Sequence, residues 1–275
     1  MPNRIVDKVN HLDAIGVNSL SVVLMLGDPD FDTTLELVDI AVAQGVDVLE
    51  LGIPIADPFL DSATMQASMK RAIEHCSEPR RYLRALAEVR QAFPDLPIEL
   101  MVYRETLETI GIQDYAEGLR KADLDATLVA DAFSHPQTFR DRLDDALLPL
   151  GILPIRFVPE PYRRCHLEDA RENARGFVVV QTTTGPHGHR RAVYPENVEK
   201  LRAVRAVGVD LPLVLAYGIK TPAHIRRCIE LGADGVLIGT AVLETAHRSR
   251  TELSELLAAY REAAGPTNGR GVEQS

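Results

Sequence analysis

Short apolar runs separated by amphipathic stretches recur along the whole chain. Ser19–Leu26, Val46–Leu51, Ile98–Val102, Ala126–Ala130, Leu153–Val158, Phe177–Gln181, Leu213–Ala216 and Gly235–Ile238 each have the length and the branched or aliphatic content of a buried strand. Helical spacing of apolar positions fills the intervals. It predicts a first helix over 3–15, with Ile5, Val9, Leu12 and Ile15 on one face, and a second running to Gln44, capped by Asp32. Further helices are predicted over Ser62–Glu74, Glu78–Phe93, Ile112–Lys121, Gln137–Ala146, Leu167–Ala174, Pro195–Val207, Pro222–Leu231 and Ala241–Ala264. Strands apolar throughout read as parallel strands covered by helices. Eight such units in about 240 residues fit a closed (β/α)8 TIM barrel with a short extra N-terminal helix, a single domain over 1–264. The rival is an open doubly wound sheet, which usually carries a glycine-rich turn after its first strand. Here that turn is LGDPDFD, whose three aspartates would repel a pyrophosphate. The last stretch, GPTNGRGVEQS over 265–275, reads as a frayed tail.

Composition narrows the function. The 275 residues are 45% apolar without a run of eighteen apolar residues, so no membrane span is expected. MPNRIVDKVNHLD lacks an apolar signal core, which points to the cytoplasm. A net charge of −10 argues against a general nucleic-acid binder. Cys76, Cys165 and Cys228 form no CxxC pair, and His187 and His189 are the only close pair among eight histidines. Neither a metal nor another cofactor is expected.

The chemistry concentrates in VDVLELGIPIADPFLDSATMQ, residues 46–66. Glu50 lies near the end of a buried strand, where an acid is costly unless paired, protonated or used. Gly52, Pro54 and Pro58 impose a loop that carries Asp57 and Asp61. Asp61 can fold back over the strand end to complete a two-carboxylate acid/base site. The plainer readings are that Glu50 is a salt-bridged core acid and that Asp61 caps the next helix.

The segment LELGIPIADPFLDSATMQ resembles the signature of the tryptophan synthase alpha subunit family, E-L-G-(I/V)-P-x-S-D-P-x-A-D-G-P-x-I-Q in its usual form. LGDP after the first strand, Tyr103 after the third, VADA after the fourth, GPHG after the sixth, YGI after the seventh and ADGVLIGTA around the eighth are similar to that family too. The likeness spans about residues 19–244. It implies a lyase that cleaves indole-3-glycerol phosphate to indole and glyceraldehyde 3-phosphate by a retro-aldol step in tryptophan biosynthesis. The resemblance implies Glu50 as general acid/base and Asp61 as the acid that steadies the ring cation. It implies Tyr103, Asp131, Val179, His187 and Tyr217 around the substrate. Barrels of this kind hold phosphate on late-loop backbone N–H groups, here Thr184, Gly185, Gly218, Ile219, Gly239 and Thr240. A pyridoxal-phosphate-dependent beta subunit is the implied partner, with Pro54 and Asp57 at loop positions the family uses toward it.

Departures cluster on the ring side. Ser62-Ala63 stands where the family has Gly-Pro, Val23 where a phenylalanine is common, Val179 for a tyrosine and His187 for a threonine. A changed aglycone therefore stands beside the indole reading, as does a non-catalytic activator of a beta subunit. A stand-alone lyase is a further reading. A prenyl-transferase-like phosphate barrel is more remote, since it would need a metal site.

Overall fold

The computed structural model describes residues 2–182 and 195–266. β1 (Ser19–Met25), β2 (Val48–Gly52), β3 (Ile98–Val102) and β4 (Ala126–Val129) are buried at every position. So are β7 (Val178–Gln181), β8 (Leu213–Ala216) and β9 (Gly235–Ile238). Two shorter strands, β5 (Leu153–Pro154) and β6 (Arg156–Val158), lie between them in the chain. Neighbouring strands are parallel throughout, in the order β5-β4-β3-β2-β1-β9-β8-β7-β6. The two ends of that order are joined by Ile155 alone, so the sheet closes on itself.

The expected fifth strand, Leu153–Val158, is thus two segments that serve different neighbours. Leu153 and Pro154 pair with β4, and Arg156–Val158 pair with β7. Pro154 has no N–H to give to a ladder. Ile155 N–H still bonds back to Thr127 O at 2.9 Å.

The helices are α1 (Arg4–Ile15), α2 (Phe31–Ala43), α3 (Ala63–His75), α4 (Pro79–Ala92), α5 (Arg104–Ile110), α6 (Ile112–Lys121), α7 (Gln137–Leu147) and α8 (Arg164–Asn173). They continue as α9 (Asn197–Ala206), α10 (Pro222–Glu230), α11 (Thr240–Arg248) and α12 (Arg250–Ala264). Several boundaries correct the sequence reading. Asp30, not Asp32, caps α2, accepting from Thr33 N–H at 2.6 Å. Ser62, not Asp61, caps α3. The predicted last helix is two, because Ser249 turns extended and caps α12 by accepting from Glu252 N–H. The short α5 goes unpredicted; it ends at Gly111, whose φ of 90° only glycine adopts without strain. Gly265 and Pro266, expected in the tail, lie against the chain's start, where Pro266 bridges Val17 and Gly265 O accepts from Asn18 N–H. The remaining tail residues fall outside the described ones.

One device recurs at the strand starts. Asp47, Asp125 and Asp234 stand immediately before β2, β4 and β9. Each carboxylate accepts an N–H from the start of the preceding strand: Leu20, the second residue of β1, and Ile98 and Leu213, the first of β3 and β8, at 2.9, 2.8 and 2.8 Å. Each also meets an arginine from the helix layer: Arg261, Arg90 and Arg205. A buried carboxylate needs such satisfaction, and here it ties strand register to the helices outside.

Alternate residues point inward. At the N-terminal end of the strands, Val9 and Leu12 of α1 face Ser21, Val48, Phe177 and Val214 across a hollow of about 30 Å³. The next inward residues up those strands are Val23, Glu50, Val179 and Ala216, and they line a larger cavity at the C-terminal end.

Candidate active site

The larger cavity has a volume of about 440 Å³. Val23, Met101, Leu128, Phe157, Val179 and Leu237 give it an apolar wall, so an apolar ring system can fill it. Glu50 enters from β2 and Asp61 from the loop that follows. Glu50 is 4% exposed. Burial, reinforced by the charge of Asp61, pushes its carboxyl up to about 8. Asp61 is also raised by burial, but the Tyr103 hydroxyl donates to its Oδ2 at 2.7 Å and opposes that rise. Two acids on one cavity therefore differ in environment: Glu50 is fully desolvated, and Asp61 is held by a phenol. Such a pair can keep one acid protonated beside one carboxylate.

The loop is built to hold Asp61 there. Tyr103 follows β3 directly and is 1% exposed, and burial is the main reason its own hydroxyl keeps its proton. Phe59 packs edge-on against the Tyr103 ring at 5.8 Å between centroids. Gln66 Nε2 donates to Pro58 O and Asp61 O. Ser62 Oγ lies 3.0 Å from Thr240 Oγ1, and Thr64 Oγ1 donates to Glu244 at 2.8 Å. These last two contacts connect the loop after β2 with the start of α11 across the cavity mouth.

On the opposite rim, Tyr217, Gly218, Ile219, Gly239 and Thr240 all line the cavity. Tyr217 and Gly218 have φ of 73° and 72°. Two consecutive left-handed residues turn the chain sharply just past β8, and for tyrosine that backbone is strained. Thr182 Oγ1 donates to Tyr217 O at 2.7 Å and supports the turn. α11 starts from Gly239 without a side-chain cap, so its first turn faces the cavity with polar N–H groups and a positive dipole end.

Of the residues proposed from the sequence, Glu50, Asp61, Val179, Tyr217, Gly218, Ile219, Gly239 and Thr240 meet on this one cavity. Tyr103 acts on it through Asp61. Asp131 is turned elsewhere: its Oδ1 accepts from Arg104 N–H at 2.9 Å and its Oδ2 lies 3.0 Å from His135 Nε2. Thr184, Gly185 and His187 lie outside the described residues. Sequence reasoning missed Lys220 at the rim and Glu99 beneath the floor. Both were legible in principle, Lys220 as the residue after YGI and Glu99 as a second acid inside an apolar strand. Among the described residues no cluster of His, Cys, Asp and Glu could hold a metal ion. None of the described helices is long and apolar enough to cross a membrane.

A parallel eight-unit barrel with two acids at the C-terminal end of its strands and glycine turns opposite defines a phosphate-binding barrel enzyme. The model of the tryptophan synthase alpha chain family matches residues 12–269, and the chain belongs to that family. Its curated relatives include the tryptophan synthase alpha chain of Methanoregula boonei, 32% identical over 81% of this chain and 82% of the relative. That of Photobacterium profundum is 30% identical over 93% of both chains. Among solved structures, the tryptophan synthase alpha chain of Legionella pneumophila superposes with a TM-score of 0.84 at 26% identity, covering 96% of this chain and 98% of that one.

Proposed function

We propose that this chain is a carbon–carbon lyase of the aldehyde-lyase type, which cleaves indole-3-glycerol phosphate to indole and glyceraldehyde 3-phosphate. The observation that carries the reading is the meeting of Glu50 and Asp61 on one apolar cavity, in environments that separate their proton affinities.

The chemistry follows from what the bond needs. The carbon–carbon bond breaks only when the ring can accept its electron pair. Glu50, protonated at neutral pH, gives its proton to the ring carbon that bears the side chain. The positive charge then falls on the ring nitrogen, beside the Asp61 carboxylate that Tyr103 holds ionised. As the bond breaks, its electrons restore the aromatic ring. The side-chain hydroxyl becomes the aldehyde and returns its proton to Glu50, so one residue acts as acid and then base. Gly218, Ile219, Gly239 and Thr240 cradle the phosphate, with the α11 dipole favouring the anion. Val23 and Val179 make their parts of the ring wall aliphatic, beside Phe157. Thr184, Gly185 and His187 complete the phosphate and substrate contacts in this reading.

The partner in this reading is a pyridoxal-phosphate-dependent beta chain, met by the loop of Pro54 and Asp57, and the setting is the cytoplasm. Phe59, 58% exposed, gives that loop an apolar side chain open to solvent, while Leu60, 43% exposed, stands at the cavity. The test is glyceraldehyde 3-phosphate release by the purified chain. Turnover that drops about 10²-fold or more in both Glu50→Gln and Asp61→Asn supports the assignment. Turnover that survives either change removes that residue from the chemistry.

A further inference from the structure

Glu50 has a neighbour that the reaction as written does not use. On β2 and β3, Glu50 and Glu99 are register partners. Register partners on parallel strands present their side chains to the same face, with backbones about 4.8 Å apart. Glu50 faces the barrel interior, so Glu99 does too. Met101, two residues further along β3, lines the cavity, which places Glu99 one step below its floor. Glu99 is 1% exposed and its Oε1 has no hydrogen-bond partner among the described residues. A buried acid in that position holds its proton. Burial first and the charge of Glu50 second push its carboxyl well above the usual range.

We propose that Glu99 is a positioning residue for Glu50: a carboxylic acid that keeps its proton and donates its O–H to the carboxylate Glu50 becomes in mid-reaction. The proposal rests on the lyase reading for its catalytic consequence, but not for the pairing itself. When Glu50 has protonated the ring, its carboxylate is buried with Val23 beside it on β1 and the negative Asp61 across the cavity. Tyr217 and Lys220 stand at the rim. A protonated carboxylic acid beneath it, on the neighbouring strand, supplies a donor from the floor, as apolar sites elsewhere keep an acid neutral so that it can donate. Glu99 keeps its proton throughout. The substrate hydroxyl proton restores Glu50, so no proton is gained or lost over the cycle.

The pair makes Glu50 a better acid than Asp61 and burial alone would allow. Removing the donor should therefore raise the Glu50 midpoint, whereas removing a repelling anion would lower it. The test uses Glu99→Leu, which removes the donor, and Glu99→Gln, which keeps an N–H donor. Carbon-13 NMR titration of the glutamate carboxyls in the full chain needs no turnover, and Glu50→Gln assigns the signal. We expect the Glu50 midpoint to rise by about one pH unit in Glu99→Leu. It should stay near the unsubstituted value in Glu99→Gln, and the Glu99 signal should titrate above that of Glu50. With indole-3-glycerol phosphate, Glu99→Leu should lower kcat about tenfold with KM little changed, and Glu99→Gln should recover most of it. An unchanged or lowered Glu50 midpoint in Glu99→Leu overturns the proposal. So does a Glu99 signal that titrates near pH 4–5 in the unsubstituted chain, a result available even if Glu99→Leu does not fold. A chain that shows the pairing by NMR but never releases glyceraldehyde 3-phosphate would instead defeat the lyase reading.

Discussion

Glu50 shows how a functional residue trades against stability. Its proton affinity in the folded chain, near 8, lies above the ordinary carboxyl value of 4.5. Between those two pH values the folded chain keeps a proton that the unfolded chain has lost. Stability therefore falls as pH rises through the window, by up to about 1.4 kcal/mol per pH unit. Glu50→Gln should raise the melting temperature more at pH 8 than at pH 5, as calorimetry at the two pH values would show. An equal effect at both would mean that Glu50 is not protonated in the folded state. Tyr103 works in the other direction, since its hydroxyl favours the ionised form of Asp61. In Tyr103→Phe the acidic limb of the kcat profile should move to higher pH, with neutral-pH turnover down by about tenfold. A profile that keeps its shape would show that Asp61 does not depend on that bond.

At the scale of elements, the aspartates before the strands carry the architecture. Asp125 is 2% exposed and accepts from Ile98 N–H and from Arg90, with Arg4 on its other oxygen at 3.0 Å. Asp125→Ala leaves the Arg90 guanidinium buried with one anion fewer and the Ile98 N–H unpaired. Chemical denaturation should show a loss of about 3–5 kcal/mol. A loss below about 1 kcal/mol would mean that water replaces the carboxylate. The loop after β2 is an element of a different kind. Ser62 caps α3 and touches Thr240, so it joins the loop of Asp61 to the start of α11. Phosphate seated at Thr240 would thereby bear on where Asp61 stands. Ser62→Ala should raise KM for the phosphorylated substrate several-fold and cost about 1 kcal/mol of stability through the lost cap. Loss of stability with KM unchanged would confine Ser62 to capping.

At the scale of the whole molecule, closure puts the two halves of the site together. β2 and β3 bring the acids, and β8 and β9 bring the glycine turns. β1 lies between β2 and β9, and its inward Val23 fills the space between the two sets. Acids and glycine turns thus reach one cavity from distant parts of the chain, with only the ends of strands and loops between them. The exposed Phe59 leaves the loop after β2 with an apolar side chain able to meet another protein. If that protein is a beta chain, adding one should raise turnover and give a co-eluting complex in size-exclusion chromatography. Separate elution with unchanged turnover would favour a lyase that works alone.

The recurrence of short apolar runs by itself determined the barrel, because strands covered by helices outside and packed on one another inside are buried on both faces and so are mainly apolar. Ile98–Val102, Leu213–Ala216 and Gly235–Ile238 were readable to the residue for that reason. Glu50 and Asp61 were readable because acids inside an apolar run and beside helix-breaking prolines are locally anomalous. Capping choices were not, since Asp30 and Asp32, or Asp61 and Ser62, are chemically interchangeable until the chain direction selects one. The two-part crossing at Leu153–Val158 depends on which neighbours the ring offers on either side of Ile155. The pairing of Glu50 with Glu99, forty-nine positions apart, depends on strand register. So does the separation in proton affinity between Glu50 and Asp61, since burial and charge act through distance in space. Only closure of the barrel sets those distances.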